Sequence, residues 1–385
     1  MRRFSAFILG SVVILSILIG CSPKTTPAPA PAPQPPAPAP VVQPGAPAPA
    51  ASPQQTAWAQ VVSAAKKEGM VVTYTNEMVG DMGANVAEAF KKATGVRLEI
   101  VAIGSSARAE RIRSEARAGI MVADISDGSA AFQAVLKVDK MTQSVGDLPV
   151  FQEKGVWTIN PLEVDPEGHI VAYSPSIVGI WVNTKLVKPE DEPKSWNDFL
   201  DPKWKGKKIG VAHPASSSLA YWAYAGLTQR AGFKDDFFQK MGAQDLRFIP
   251  GTARDVMASL ARGETYISFP GSASMAMPMV KEGAPIKPLQ TKEGVISSGG
   301  LTMSLLASAP HPNATRVFIN WILSKEGQAV FHEARALDSM RKDIPDFRPA
   351  GAQMKYETVL GGDSKFVMFV EAAFREQVLV KMWIK

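Results

Sequence analysis

The sequence predicts an α/β protein folded as two lobes, joined by hinge crossovers, with a ligand cleft between them. Three observations carry this expectation. Strand-like and helix-like segments alternate from about Trp58 onward. They do so in two separate series. A long apolar stretch, "IVAYSPSIVGIWVNTKL" (Ile170–Leu186), lies between the series and can cross from one lobe to the other. A chain of 385 residues also exceeds one small core and suits two domains.

In the first series "MVVTYT" (Met70–Thr75) reads as a buried strand and "ANVAEAFKKATG" (Ala84–Gly95) as an amphipathic helix stopped by glycine. "VRLEIVAI" (Val96–Ile103), "SARAERIRSEARAG" (Ser106–Gly119) and "VADIS" (Val122–Ser126) continue as strand, helix and strand. The second series runs through "KIGVA" (Lys208–Ala212), "LAYWAYAGLTQRAG" (Leu219–Gly232), "DLRFI" (Asp245–Ile249), "ARDVMASLARG" (Ala253–Gly263) and "TYISF" (Thr265–Phe269). "LTMSLLAS" (Leu301–Ser308) returns as a strand, and "PNATRVFINWILSKEGQAVF" (Pro312–Phe331) supplies packing helices broken near Ser324 and Gly327. Alternation of this length predicts parallel sheets faced by helices. Ligands in such sheets gather at the carboxyl ends of strands. Here those ends carry "TNEMVGD", "GSSAR", "SDGSA", "HPASSS" and "PGSAS", all short and polar.

Composition narrows the function. A hydrophobic fraction of 46% with 20% charged residues fits a soluble globular protein. Without Arg2 and Arg3 of the leader, 40 basic residues face 36 acidic ones, and no block of like charge occurs, so nucleic acid is not an expected partner. Cys21 is the only cysteine, which excludes an intrachain disulfide and a cysteine-built metal site. None of the four histidines pairs with another at ligand spacing, and no metal or cofactor is expected. The chain has no GxSxG, P-loop, HExxH or GxGxxG motif, and an enzyme is not expected.

The first 20 residues have the order of a signal peptide: Met1-Arg2-Arg3, then the apolar run Phe4–Gly20. Leu18-Ile19-Gly20-Cys21 resembles the bacterial lipobox, which implies cleavage before Cys21 and attachment of diacylglycerol and a further acyl chain (such as palmitate) there. Two such signals suffice for stable anchoring. From Pro27 to Pro53 proline recurs every second or third residue, so this stretch is expected as an extended polyproline tether spanning roughly 80 Å.

The segments "AFKKATGVRLEIV", "ERIRSEARAGIMVADI", "GIWVNTKLV", "PKSWNDFLDPKWKGKKIGV", "SLARGETYISF" and "HPNATRVFINWILSKEGQAVF" resemble, in order and spacing, the periplasmic substrate-binding proteins of ABC importers. The likeness is to the family-1 group of ferric-ion, polyamine and phosphonate binders. It implies a Venus-flytrap fold, working as a monomer with permease and ATPase subunits outside the cytoplasm, on the periplasmic or outer face of the membrane. The expected division is a signal peptide over 1–20 and a lipidated tether over 21–57. Lobe I would occupy 58–170, completed by about 295–345, and lobe II 171–294, with 346–385 able to complete it.

Ferric members use adjacent tyrosines where this chain has Phe269, Pro270, Gly271 and Ser272, which argues against a bare Fe(III) site. An organic anion (phosphonate, phosphate ester or carboxylate) suits the loops better, because helix starts offer unpaired N–H groups and partial positive charge. The candidate ligand residues are Thr75, Asn76, Glu77, Ser105, Ser106, Arg108, Asp127, Ser129, Ser176, Ser216, Ser217, Gly271 and Ser272. Arg108 is expected either to clamp the anion or to join Arg111 and Glu115 on a solvated face. Each serine could equally be a plain N-cap. Asn76, Glu77 and Asp127 could recognise an amine on a zwitterion. Ferric ion or a polyamine is the alternative cargo. Trp196, Phe199 and Trp204 are expected to be packing residues.

Overall fold

The computed structural model describes residues 52–75, 77–213, 217–349, 352–353, 359–360 and 362–367. The leader, Cys21 and nearly all of the tether lie outside them, as do residues 368–385. Helix is already present before Trp58. Ser52 closes a capping box with Gln55 and Pro53 enters the first turn, so helix α1 runs Pro53–Glu68 and takes in the end of the expected tether.

The first series builds β1 (Met70–Thr75), α2 (Gly80–Thr94), β2 (Arg97–Ala102), α3 (Ser105–Ala118), β3 (Ile125–Ser129), α4 (Ala130–Val138) and β4 (Thr142–Gln143), followed by β5 (Val171–Ser174). The second builds β6 (Ile177–Asn183), β7 (Ile209–Ala212), α5 (Ser218–Gln229), α6 (Asp235–Gly242), β8 (Arg247–Ile249), α7 (Ala253–Ala261), β9 (Ile267–Gly271), α8 (Ala273–Lys281), β10 (Ile286–Leu289) and β11 (Val295–Ser297). The chain then forms β12 (Leu301–Leu306), α9 (Pro312–Leu323), α10 (Lys325–Arg335) and β13 (Val359–Leu360).

These strands make two mixed sheets, one per lobe. In lobe I the order is β2-β1-β3-β12-β4, with β5 beside β12; β1 is parallel to β2 and β3, and β12 is antiparallel to β3. In lobe II the order is β13-β11-β6-β9-β7-β8, with β10 beside β6; β7 is parallel to β8 and β9. Lobe I is cored by Phe90, Phe318 and Trp321, with Phe90 and Phe318 edge to face at 5.1 Å. Lobe II is cored by Trp196, Tyr224 and Phe269, and Trp196, Phe199 and Trp204 are all buried in it, as the sequence predicts. Ser324 separates α9 from α10, its hydroxyl accepting from Gly327 N–H at 3.2 Å.

Two crossovers join the sheets side by side. The apolar stretch read as one connector breaks at Pro175-Ser176, between β5 and β6, while Ser298-Gly299-Gly300 links β11 to β12. Ser298 donates its N–H to the Ser176 carbonyl at 3.0 Å and its hydroxyl to the same oxygen at 3.3 Å. At Gly300, φ is +85° and a Cβ would lie 2.7 Å from the Ser174 carbonyl oxygen, so the paired crossovers approach too closely for a side chain. A third connection follows α10: Leu337 packs with Trp181 and Met257 of lobe II, and Arg341 returns to lobe I at the Leu323 carbonyl, 3.2 Å away.

Candidate functional site

In lobe I the structure draws four of the expected residues into one buried network at the carboxyl ends of β1 and β3. Asp127 is fully buried. Its carboxylate accepts a hydrogen bond from the Thr75 hydroxyl and another from Tyr173 Oη at 2.8 Å. The same Thr75 hydroxyl accepts from the N–H groups of Glu77 (2.8 Å) and Met78 (3.2 Å), which fixes the turn into α2. Burial pushes the Asp127 carboxyl up to about 7; nearby Glu77 adds to the rise, while Thr75, Tyr173 and Arg108 restrain it. Burial likewise raises the Tyr173 phenol, helped by Asp127 and Glu77.

Arg108 is also fully buried, so it does not belong to the solvated face that Arg111 and Glu115 share. Its guanidinium lies 5.1 Å from the Phe132 ring centroid and covers Gly128, where any Cβ would run into it. Burial weakens its hold on a proton, and Asp127, Glu77 and Tyr173 offset that loss. Glu77 pairs with Arg335 of α10 at 3.6 Å. Tyr173 and Arg335 were absent from the sequence expectations. Tyr173 sat inside an apolar run and Arg335 at the end of a distant helix; the only available signal was an unpaired Asp127 needing donors.

Asp127 and Ser129 were expected in a loop, and Gly271 likewise; they lie within strands instead. β12 pairs along β3 as far as Ser129, with Met303 opposite Asp127, and β6 pairs along β9 as far as Gly271. Gly271 is packed under Trp181 and Met257, which leave no room for a Cβ. Ser105 and Ser106 form the first turn of α3 after Gly104, so the helix starts one residue earlier than expected. Ser176 sits on the first crossover. Asn76 and Ser216 lie outside the described residues.

The remaining serines separate into two kinds. Ser217 is a working cap, its hydroxyl accepting from Ala220 N–H at 3.3 Å. Ser129 and Ser272 hold the cap positions of α4 and α8, yet neither side chain caps its helix. The Ser272 hydroxyl meets Ser274 at 3.0 Å, and Ser129 is exposed. The arrangement thus offers helix starts with backbone N–H groups on both sheets, at Ser129 and Ser272, whose hydroxyls do not cap their own helices. No group of three or more metal-ligating side chains occurs among the described residues.

Comparison with known proteins matches this architecture. Residues 85–357 fit the model of the bacterial extracellular solute-binding protein family. An uncharacterised protein of Haemophilus influenzae is 31% identical over 169 residues, covering 42% of this chain and 47% of that protein, so the chain spans about half the length of this curated relative. Among solved structures, AfuA of Actinobacillus pleuropneumoniae with fructose-6-phosphate bound is 23% identical, with a TM-score of 0.58 over 82% of this chain and 98% of its own. Iron-bound HitA of Pseudomonas aeruginosa is 19% identical, with a TM-score of 0.64 over 80% and 99%. The open ferric iron-binding protein A of Mannheimia haemolytica is 15% identical, with a TM-score of 0.66 over 82% and 100%. These neighbours share the two-lobe periplasmic-binding-protein fold, and the family match covers most of the sequence. The chain belongs to the bacterial extracellular solute-binding proteins, a family of binders rather than enzymes.

Proposed function

We propose that this protein is the solute-capturing component of an ABC importer and that its cargo is a small organic anion. Cys21 would carry the lipid that holds it outside the cytoplasm after removal of residues 1–20, and the Pro/Ala tether would let the lobes reach a permease. Among the described residues no helix is long and apolar enough to cross a membrane, which is compatible with attachment through lipid alone.

The observation that carries the anion reading is the pair of helix starts at Ser129 and Ser272, one per lobe, whose hydroxyls do not cap their own helices. Each combines backbone N–H donors, the positive end of a helix and a hydroxyl able to donate. AfuA, solved with a sugar phosphate, shares the fold and lends this cargo class weight. The acidic side chains nearby do not favour a cation. Asp127 is held by Thr75 and Tyr173, and Glu77 by Arg335.

A thermal-shift series on the full chain tests the reading, with phosphonates, phosphate esters, carboxylates, polyamines and Fe(III) as probes. An anion at 100 times its Kd stabilises the folded state by about 2.7 kcal/mol and should raise Tm accordingly. A shift with Fe(III) or a polyamine and none with any anion overturns the cargo assignment while leaving the binding role intact.

A further inference from the structure

One face of α10 reaches both the first crossover and the connection that follows the helix. Gln328, His332 and Arg335 recur at helical spacing and so share that face. Gln328 and His332 are fully buried, and neither was among the expected ligand residues.

The Gln328 amide uses its whole hydrogen-bonding capacity. Its Nε2 donates to the carbonyls of Tyr173 in β5 (2.8 Å) and Ile322 in α9 (3.0 Å). Its Oε1 accepts from the Ser339 hydroxyl (2.8 Å) and the Met340 N–H (3.4 Å), beyond the end of α10. One turn on, His332 Nδ1 faces the Gln328 carbonyl at 2.8 Å, so it carries the proton and donates. Its Nε2 is then the acceptor for the Ser174 hydroxyl at 3.1 Å, at the root of the first crossover.

Between these tied points the loop after α10 reaches lobe II. Leu337 N–H donates to the His332 carbonyl at 3.1 Å, while its side chain packs with Trp181 and Met257. The same two residues enclose Gly271, just before the start of α8. On the lobe I side, Tyr173 bonds Asp127 through its phenol, and Arg335 pairs with Glu77. The helix therefore holds the strand-end network, the first crossover and the Leu337 loop together.

We infer that Gln328 and His332 are positioning residues for solute capture. They lock the root of the first crossover and the Leu337 loop to α10, so that lobe I turns as one body. The turning points are then Pro175-Ser176 and Ser298-Gly299-Gly300, with Leu337 as the bearing against lobe II. This deepens the proposed capture role and rests on it, but not on the charge of the solute.

The test needs no solute, so its failure leaves the cargo assignment standing. Spin labels at Lys92→Cys of α2 and Lys240→Cys of α6, both exposed positions, report lobe separation by dipolar spectroscopy in the full chain carrying Cys21→Ser. Gln328→Met keeps an unbranched side chain of similar size without the amide's bonds, and should broaden the distance distribution. Amide exchange at Ser298 should accelerate about tenfold more than at Phe318 in the lobe I core. A merely structural role for Gln328 would raise both exchange rates by one factor and leave the distribution as narrow as in the parent, which overturns the proposal. Ser174→Ala removes only the His332 contact and should give the same changes at smaller size. Should Gln328→Met fail to fold, an unchanged distribution and Ser298 rate in Ser174→Ala overturn the proposal instead.

Discussion

The two lobes build their strand ends in opposite ways. Lobe I does it with charge: Asp127 and Arg108 are fully buried, with Glu77 and Arg335 paired beside them. Lobe II does it with the buried hydroxyls of Ser217 and Ser272 and with Gly271, which packs against Trp181 and Met257. The difference shows where residue type misleads. A charged residue at a strand end looks like the ligand contact, yet in lobe I the buried charges are held within the protein, and under the proposed function the backbone and Ser129 would be left to meet the solute. In lobe II little competes for the helix-start donors.

If lobe I's charges are one interlocked unit, removing a member is the most damaging change. Above pH 7, where Asp127 is ionised, Asp127→Ala leaves the Tyr173 and Thr75 hydroxyls without their acceptor and takes a negative charge from beside Arg108. A loss of about 3–5 kcal/mol in denaturant unfolding is expected. Gly271→Val probes lobe II in the same assay. It drives methyl groups into Trp181 and Met257 and should cost about 1–3 kcal/mol. A smaller loss for Asp127→Ala than for Gly271→Val would reverse the comparison.

Titration sharpens it. Asp127 holds its proton to about pH 7 when folded, against 3.8 unperturbed. Its stabilising contribution is therefore present at low pH and lost as pH rises across that window. His332, buried and bonded to the Gln328 carbonyl, falls to about 4 from 6.5, burial being the main cause and Arg335 a further one. Its contribution is present above pH 6.5 and lost as pH falls toward 4. Each slope is at most about 1.4 kcal/mol per pH unit, and they oppose one another where the windows overlap. The parent should be nearly flat there. Asp127→Asn should gain stability with rising pH, and His332→Gln should lose it. Parallel profiles for both variants would show that the two groups are not the titrating pair.

Much of the fold was legible because periodicity reports burial. Met70–Thr75 is buried from its second residue on and pairs in register with β2, and the Ser324–Gly327 break follows from local backbone chemistry. Strand ends were less legible. Nothing local says that β12 continues beside β3 as far as Ser129, because the partner lies some 170 residues away. The network around Asp127 was half visible for the same reason. Thr75 and Asp127 stood at strand ends, but Tyr173 and Arg335 come from β5 and α10, whose positions only the tertiary fold sets. For Arg108 helical spacing left two readings open, a contact at the strand ends or a solvated face with Arg111, and only the tertiary fold, which turns its side chain inward over Gly128, removes the second.

The smallest effects separate a cap from a contact. Ser217 caps α5 through Ala220 N–H, so Ser217→Ala should cost about 1 kcal/mol of stability. Ser272 occupies the same position on α8 but bonds Ser274 instead, and Ser129 caps nothing. Ser272→Ala and Ser129→Ala should therefore change stability by no more than about 0.5 kcal/mol. Their effect belongs to the solute. Losing one neutral hydrogen bond to an anion should weaken its binding by about tenfold, through faster release more than slower capture. Ser217→Ala, matched for chemistry, should disturb stability first. If all three substitutions destabilised the fold alike and none touched affinity, the hydroxyls at Ser129 and Ser272 would be ordinary helix-end groups, and the lobes would differ only in where they keep their charge.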